Sequence, residues 1–272
     1  MILTVHHSTR YVYDQPVRGV VQSHRLTPSL FDGQRLIDWR VLVSDGTAGG
    51  AFRDGAGDWV ASHSAHGPLS EITVTVEGQV ETVDLTGVLR GHRERVPPEA
   101  YLRETLPTRP DLALIELGRE ALADAGRADA LERAHLLSVA VGQAIAYRPG
   151  ATHAHTTAAE ALGLGEGVCQ DHAHALCAVA RAQDMPARYV SGYLHATEDG
   201  TPHEAAHAWA EIWVPGLGWV GFDASNGCCP DDRYIRLGSG HDARAAAPIR
   251  GIARGQGRES LDVTVAVEAA QQ

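Results

Sequence analysis

Gly165-Glu166-Gly167-Val168-Cys169-Gln170-Asp171 is the stretch from which the rest of this chain is read. Glycines do not continue a helix cheaply, so Gly165 and Gly167 mark a turn. Beyond it Ala173, Leu176, Cys177 and Ala180 recur at helical spacing and predict a helix with one apolar face. Met185-Pro186 ends that helix, because proline disfavours helical geometry in the residue before it. Cys169 therefore falls in a first helical turn, where unpaired backbone N–H groups and the helix dipole favour an anion. Two readings of it stand side by side: a small buried apolar residue, or a thiol held toward its nucleophilic thiolate. Cys177, Cys228 and Cys229 lack the glycine turn that leads from Gly165-Glu166-Gly167 into a helix and read as structural.

A thiolate that attacks a carbonyl needs an imidazole to stabilise it and to carry a proton to the leaving group. Among 15 histidines, His207 has a distinctive setting. His207-Ala208-Trp209-Ala210-Glu211-Ile212-Trp213-Val214 reads as a strand, Pro215-Gly216-Leu217-Gly218 breaks it, and Trp219-Val220-Gly221-Phe222-Asp223 reads as a second strand. A hairpin of these two sets His207 beside Asp223, which could fix the ring's tautomer and stabilise its cation. Alone, Asp223 also reads as a strand-end aspartate.

Gly167-Val168-Cys169-Gln170-Asp171, Pro186-Ala187-Arg188-Tyr189-Val190-Ser191-Gly192-Tyr193, His207-Ala208-Trp209 and Gly218-Trp219-Val220-Gly221-Phe222-Asp223 together resemble the bacterial transglutaminase-like superfamily. The resemblance covers about residues 98–267 and, more loosely, the β-rich part before them. It implies an α+β, papain-related core of helices packed on an antiparallel sheet, and a Cys-His-Asp triad at Cys169, His207 and Asp223. Two positions depart from the family pattern. Asp223-Ala224-Ser225-Asn226 stands where Asp-Pro-Thr-Asn is usual, and His172 stands where an aromatic residue is common.

With 272 residues, 44% of them hydrophobic, the chain can fill one large or two medium cores. Residues 1–96 read as a small β-sandwich-like domain, with strands at Leu36–Val43 and Glu71–Glu77, and residues 97–272 as the core. Pro97-Pro98 marks the boundary. Helices are predicted over Pro110–Leu122, Leu131–Tyr147 and, from the Thr157-to-Glu160 capping pattern, around Ala158–Leu162. Further strands are expected at Asp231–Leu237 and Leu261–Val267. A net charge of −11 argues against nucleic-acid and anionic-membrane partners. No secretory leader is visible at Met1–His6, and four cysteines without paired spacing suit a reducing cytoplasm.

The expected chemistry is thiol-dependent acyl transfer or hydrolysis on a protein or peptide amide, through a thioester, with water or a primary amine as acceptor and no cofactor. Gln170, Trp209, His241 and Arg244 are the further oxyanion or substrate candidates, the last two on a loop expected to close over the site. His172 and His174 read as surface or pocket-wall residues. Two alternatives remain open. His203-Glu204-Ala205-Ala206-His207 matches the H-E-x-x-H zinc peptidase pattern, which works on a helix, although Pro202 and the strand-like run leave that helix little room. The core could also be a binding module without turnover.

Overall fold

A computed structural model describes residues 1–195 and 206–269. The chain begins with four strands, β1 (Ile2–His24), β2 (Gln34–Val43), β3 (Thr47–Arg53) and β4 (Trp59–Thr82). Two short 3₁₀ turns then lead to α1 (Leu112–Ala121), α2 (Ala130–Ala144), β5 (Ala146–Tyr147), α3 (Ala158–Leu164), β6 (Glu166–Gly167) and α4 (Cys169–Ala182). The remainder is β7 (Ala187–Leu194), β8 (Ala206–Val214), β9 (Gly218–Phe222), β10 (Tyr234–Gly240), β11 (Ile249–Ala253) and β12 (Glu259–Ala269).

Residues of β1 alternate toward the core through Leu3, Val5, His7 and Thr9, as the period of a strand requires. Antiparallel β1 and β4 run the length of a six-stranded sheet, with register shifts between Val12 and Gly19. On one side of that break β12 and β2 flank the pair; on the other β11 and β3 do so. Tyr13 and Ile72 from one half share a core cluster with Val20 and Ala65 from the other, so one sheet folds over itself to make the sandwich-like layer.

Sheet pairing does not follow the division at residues 96 and 97. Strands β11 and β12, at 249–269, return to pair with the open edge of β1. The alternation of Leu261, Val263, Val265 and Val267 encodes a strand, but a strand's partner is set by which edge is free, and that is not local information.

The second sheet is antiparallel in the order β10-β7-β8-β9, and α4 packs across it. Asp111 and Asp129 accept hydrogen bonds from the N–H groups of Leu114 and Glu132, capping α1 and α2. Thr157 and Glu160 form the reciprocal cap of α3, and Gly165, at φ 68°, ends it in the left-handed conformation. Helix α4 is buried on every face from Asp171 to Arg181, not on one stripe as the Ala173–Ala180 spacing predicts. The reason is its central place: α1, α2 and α3 cover the faces that the sheet leaves open. His172 and His174 are consequently interior residues, exposed by 2% and 1%, and not surface or pocket-wall positions.

The two layers share a core. Leu3, Val5 and Val80 pack against Tyr193, Ile235 and Leu237, and His7 Nδ1 lies 2.7 Å from Tyr193 Oη. Burial lowers the His7 pKa to about 4, so the neutral ring serves as a polar bolt between the layers.

Candidate active site

The glycine turn positions Cys169 by three successive constraints. Gly165 closes α3, and its carbonyl accepts from Ala146 N–H at 2.8 Å. Strand β6 then pairs in parallel with β5, Tyr147 opposite Gly167. At Gly167 a β-carbon would stand 2.9 Å from Asp171 Oδ2, so only glycine lets that carboxylate fold back over the turn. Asp171 accepts from Val168 N–H at 2.8 Å and Thr152 Oγ at 2.6 Å, which pins the start of α4. Cys169 is the first residue of that helix and is partly exposed. Its own N–H and that of Gln170 have no acceptor one turn back within the helix.

Strand β8 places His207 opposite Gly192 of β7, and the β8/β9 hairpin pairs Ala210 with Phe222, the residue before Asp223. His207 Nε2 lies 2.6 Å from Asp223 Oδ2. The Cys169 thiol lies close enough to the ring to help raise its pKa, and with Nε2 engaged by the carboxylate, Nδ1 is the nitrogen left to face it. Thiol, imidazole and carboxylate therefore form one continuous chain of contacts. Burial pulls the His207 pKa down, but the bonds and charges of Asp223 and Cys169 outweigh this and raise it to about 10.

Asp223 is held more completely than any single partner would hold it. Oδ1 accepts from the N–H and hydroxyl of Ser225 at 3.0 and 2.6 Å and from Asn226 N–H at 3.2 Å. Oδ2 accepts from Asn226 Nδ2 at 2.8 Å and Tyr234 Oη at 2.9 Å, besides the imidazole. Burial opposes the charge, yet these donors bring the Asp223 pKa down to about 2. The turn carrying them is closed by paired backbone bonds between Asp223 and Cys228. Tyr234 arrives from β10, and no local pattern around it could have announced this contact.

The other candidates separate. Gln170 Nε2 donates to Ala154 O at 3.4 Å, on the loop before α3, beside the thiol. Trp209 is 3% exposed and lies under the triad, its ring near those of His207 and Tyr234; it supports the imidazole from beneath and is a packing residue. His241 rests its ring on Tyr101, and its carbonyl accepts from Arg181, roughly 18 Å of helix beyond Cys169. Arg244 is exposed on the same turn. Among the described residues no hydrogen bond or ion pair joins either of them to the triad; between them Ala243 N–H donates to His174 Nε2 at 3.0 Å, beside α4. Among the other cysteines, burial pushes the Cys177 thiol up to about 11 and the Cys229 thiol to about 11.

His203 and Glu204 lie outside the described residues. His207 itself sits in a strand, where residues four apart lack the shared helical face that the zinc pattern needs, and both its ring nitrogens are engaged.

Residues 120–224 match the transglutaminase-like superfamily, and residues 3–81 match the bacterial transglutaminase-like N-terminal region. An uncharacterized protein of Mycobacterium leprae is 32% identical over 97% of this chain and 98% of its own length. One from Mycobacterium tuberculosis strain H37Rv is 31% identical over 97% of this chain and 91% of its own. In fold the chain is similar to a protein of Cytophaga hutchinsonii, solved by crystallography and described as a candidate cysteine protease, with a TM-score of 0.73 and 20% identity over 100% of this chain and 92% of that one. Core, N-terminal layer and near full-length relatives agree: the chain belongs to the transglutaminase-like superfamily.

Proposed function

We propose that this protein carries out thiol-dependent acyl transfer or hydrolysis on protein or peptide amides, with Cys169 as nucleophile, His207 as proton carrier and Asp223 as the group that orients it. The observation that carries this reading is His207, held by Asp223 at 2.6 Å on one side and near enough to the Cys169 thiol on the other for that thiol to raise its pKa. The Cys169 sulfur attacks the carbonyl carbon of a glutamine side chain or a peptide bond. The tetrahedral oxyanion meets the N–H groups of Cys169 and Gln170 at the start of α4, with the helix dipole aligned toward it. As the C–N bond breaks, imidazolium Nδ1–H gives its proton to the departing amine and a thioester remains. His207 then takes a proton from water or from a primary amine, which attacks the thioester and releases the thiolate. Water gives hydrolysis or deamidation; an amine gives a new amide.

The reading calls for no metal or organic cofactor. All four cysteines are unpaired, which favours a reducing compartment such as the cytoplasm. No helix among the described residues is long and apolar enough to cross a membrane. Mass spectrometry of a glutamine-containing peptide library, with and without a primary amine, distinguishes cleavage, a one-dalton gain and amine incorporation. Cys169→Ala is expected to remove essentially all turnover with the fold intact. Cys169 of the unaltered protein should alkylate quickly and lose that speed in His207→Ala. Slow alkylation in both, with no turned-over peptide, would leave a binding module as the better reading.

A further inference from the structure

His172 departs from the family pattern, and its surroundings give the departure a use. The side chain is 2% exposed, one residue after the carboxylate that pins α4 and three after Cys169. Its Nδ1 lies 2.9 Å from Val168 O and its Nε2 lies 2.8 Å from Ile145 O. A carbonyl oxygen can only accept, so each ring nitrogen has to donate, and a ring that donates from both carries a proton on both.

The neighbourhood suits that charge. Ile145 is the C-cap of α2, where the helix dipole presents its negative end. Asp171 is fully buried, and among the described residues no arginine forms an ion pair with it. Its Oδ1 is buried without a hydrogen-bond partner among the described residues. A buried carboxylate with one oxygen unpaired and no ion-pair partner is costly, and a cation on the adjacent residue offsets that cost. The titratable groups around the ring are Cys169 and Asp171 on its own helix, His207 from β8 through the thiol, Tyr147 from β5, and the Arg148–Glu166 pair at the end of the β5/β6 ladder. The last two turns of α2 carry no charged side chain.

We infer that His172 is held as an imidazolium between the C-cap of α2 and the N-cap of α4, and that its charge cancels the effect of the Asp171 carboxylate on the Cys169 thiolate. Asp171 anchors the helix start but stands as a negative charge two residues from the sulfur. His172, on the neighbouring helical face one turn from Cys169, supplies the opposite charge at i, i+3 spacing. It is a positioning residue that acts through the nucleophile, and the inference rests on Cys169 being the reactive thiol.

The test reads charge and coupling separately. Nitrogen-15 NMR of the unaltered protein at about pH 7.5 should show both His172 ring nitrogens protonated; a single pyridine-type nitrogen would overturn the inference with no recourse to variants. Alkylation of Cys169 by iodoacetamide is then followed against pH. His172→Phe, which keeps an aromatic ring, should slow labelling roughly tenfold at about pH 6, with the gap closing in alkali as the thiol ionises in both proteins. His172→Gln, a neutral donor, should be slowed as much; if it restores the normal rate, a hydrogen bond and not a charge is what matters, and the inference fails. Unchanged profiles in both variants also sink it. Slow labelling in the unaltered protein would instead count against the proposed function.

Discussion

Two clusters of buried charge lie along the same strand, and they are built to opposite ends. His207, Trp209 and Glu211 occupy every second position of β8. Around Glu211, two arginines are enclosed: Arg188 Nε donates to Glu211 at 2.6 Å and Arg236 Nε at 2.8 Å. Arg236 also reaches Asp58 of the N-terminal layer at 2.5 Å, and Arg188 pairs with Glu94 and lies 4.1 Å from the Trp219 ring centroid. Asp58 is saturated in turn by Ser29, Ser239 and Arg236. Every charge there has a fixed counter-charge, although Arg188 Nη2 lacks a hydrogen bond among the described residues, and the cluster locks the folded-over sheet to the core. At the His207 end the carboxylate is equally saturated, but the imidazole keeps one nitrogen for a partly exposed sulfur. Saturation alone makes a structural clamp; saturation of one member with one proton left movable is what the proposed chemistry requires.

If that contrast is right, changing the orienting carboxylate should cost far more function than stability. Asp223→Asn keeps the shape and most donors but reverses what the side chain offers His207, so the ring's tautomer is wrong. We expect turnover to fall by roughly 10³–10⁴-fold while thermal unfolding moves little. Steady-state kinetics beside a melting curve check both halves, and a large melting shift with modest kinetic loss would erase the distinction between the clusters. The reverse experiment is Glu211→Gln, which leaves two buried guanidinium groups short of a counter-charge. Breaking a buried pair from one side costs about 3–5 kcal/mol, read by denaturant unfolding. Labelling of Cys169 in the folded protein should be unaffected.

How far the sequence reached is clear from these same residues. Cys169, His207 and Asp223 were legible because each lies within a short local pattern: a glycine turn, a strand start and the end of a hairpin. The start of α3 was legible from its Thr157-to-Glu160 cap. What escaped was everything fixed by distance in the chain. Tyr234 reaches Asp223 across the sheet, Arg236 meets Asp58 from another layer, and β12 finds β1 from the opposite terminus. The loop that the family resemblance implies over the site, 242–251, is tied to α4 by the bond from Ala243 to His174, a contact that no local pattern announces. No local periodicity reports such pairings.

A pH experiment sharpens the contrast at the imidazole. The His207 pKa is raised from its ordinary 6.5 to about 10, so its contribution to stability is complete below about 6.5, shrinks above that and is gone beyond about 10. Asp223, lowered from 3.8 to about 2, works in the other direction: its contribution is present above about 3.8 and lost as pH falls through about 2. Turnover needs the imidazolium proton for the leaving amine, whereas alkylation needs only the thiolate. Above about pH 10 turnover should therefore drop nearly tenfold per unit while alkylation stays on its plateau. Parallel decline of both would mean that the active-site fold itself is lost there.

The smallest expected effect tests the claim of redundancy. Tyr234→Phe removes one of three donors to Asp223 Oδ2 and leaves the ring packed against Trp209. A hydrogen bond to a charged acceptor is worth about 1.5–3 kcal/mol in general, but five donors remain on this carboxylate, so the low end applies. That corresponds to roughly a tenfold fall in kcat with KM unchanged, since the tyrosine touches the orienter and not the substrate. Asn226→Ala gives the partner measurement, because its amide bonds the same oxygen. If donors share the work, the two losses together should exceed their sum, as the remaining contacts can no longer hold the carboxylate against His207. Strict additivity would mean instead that each donor acts on its own, and the Asp223 clasp would then differ little from the independent pairs around Glu211.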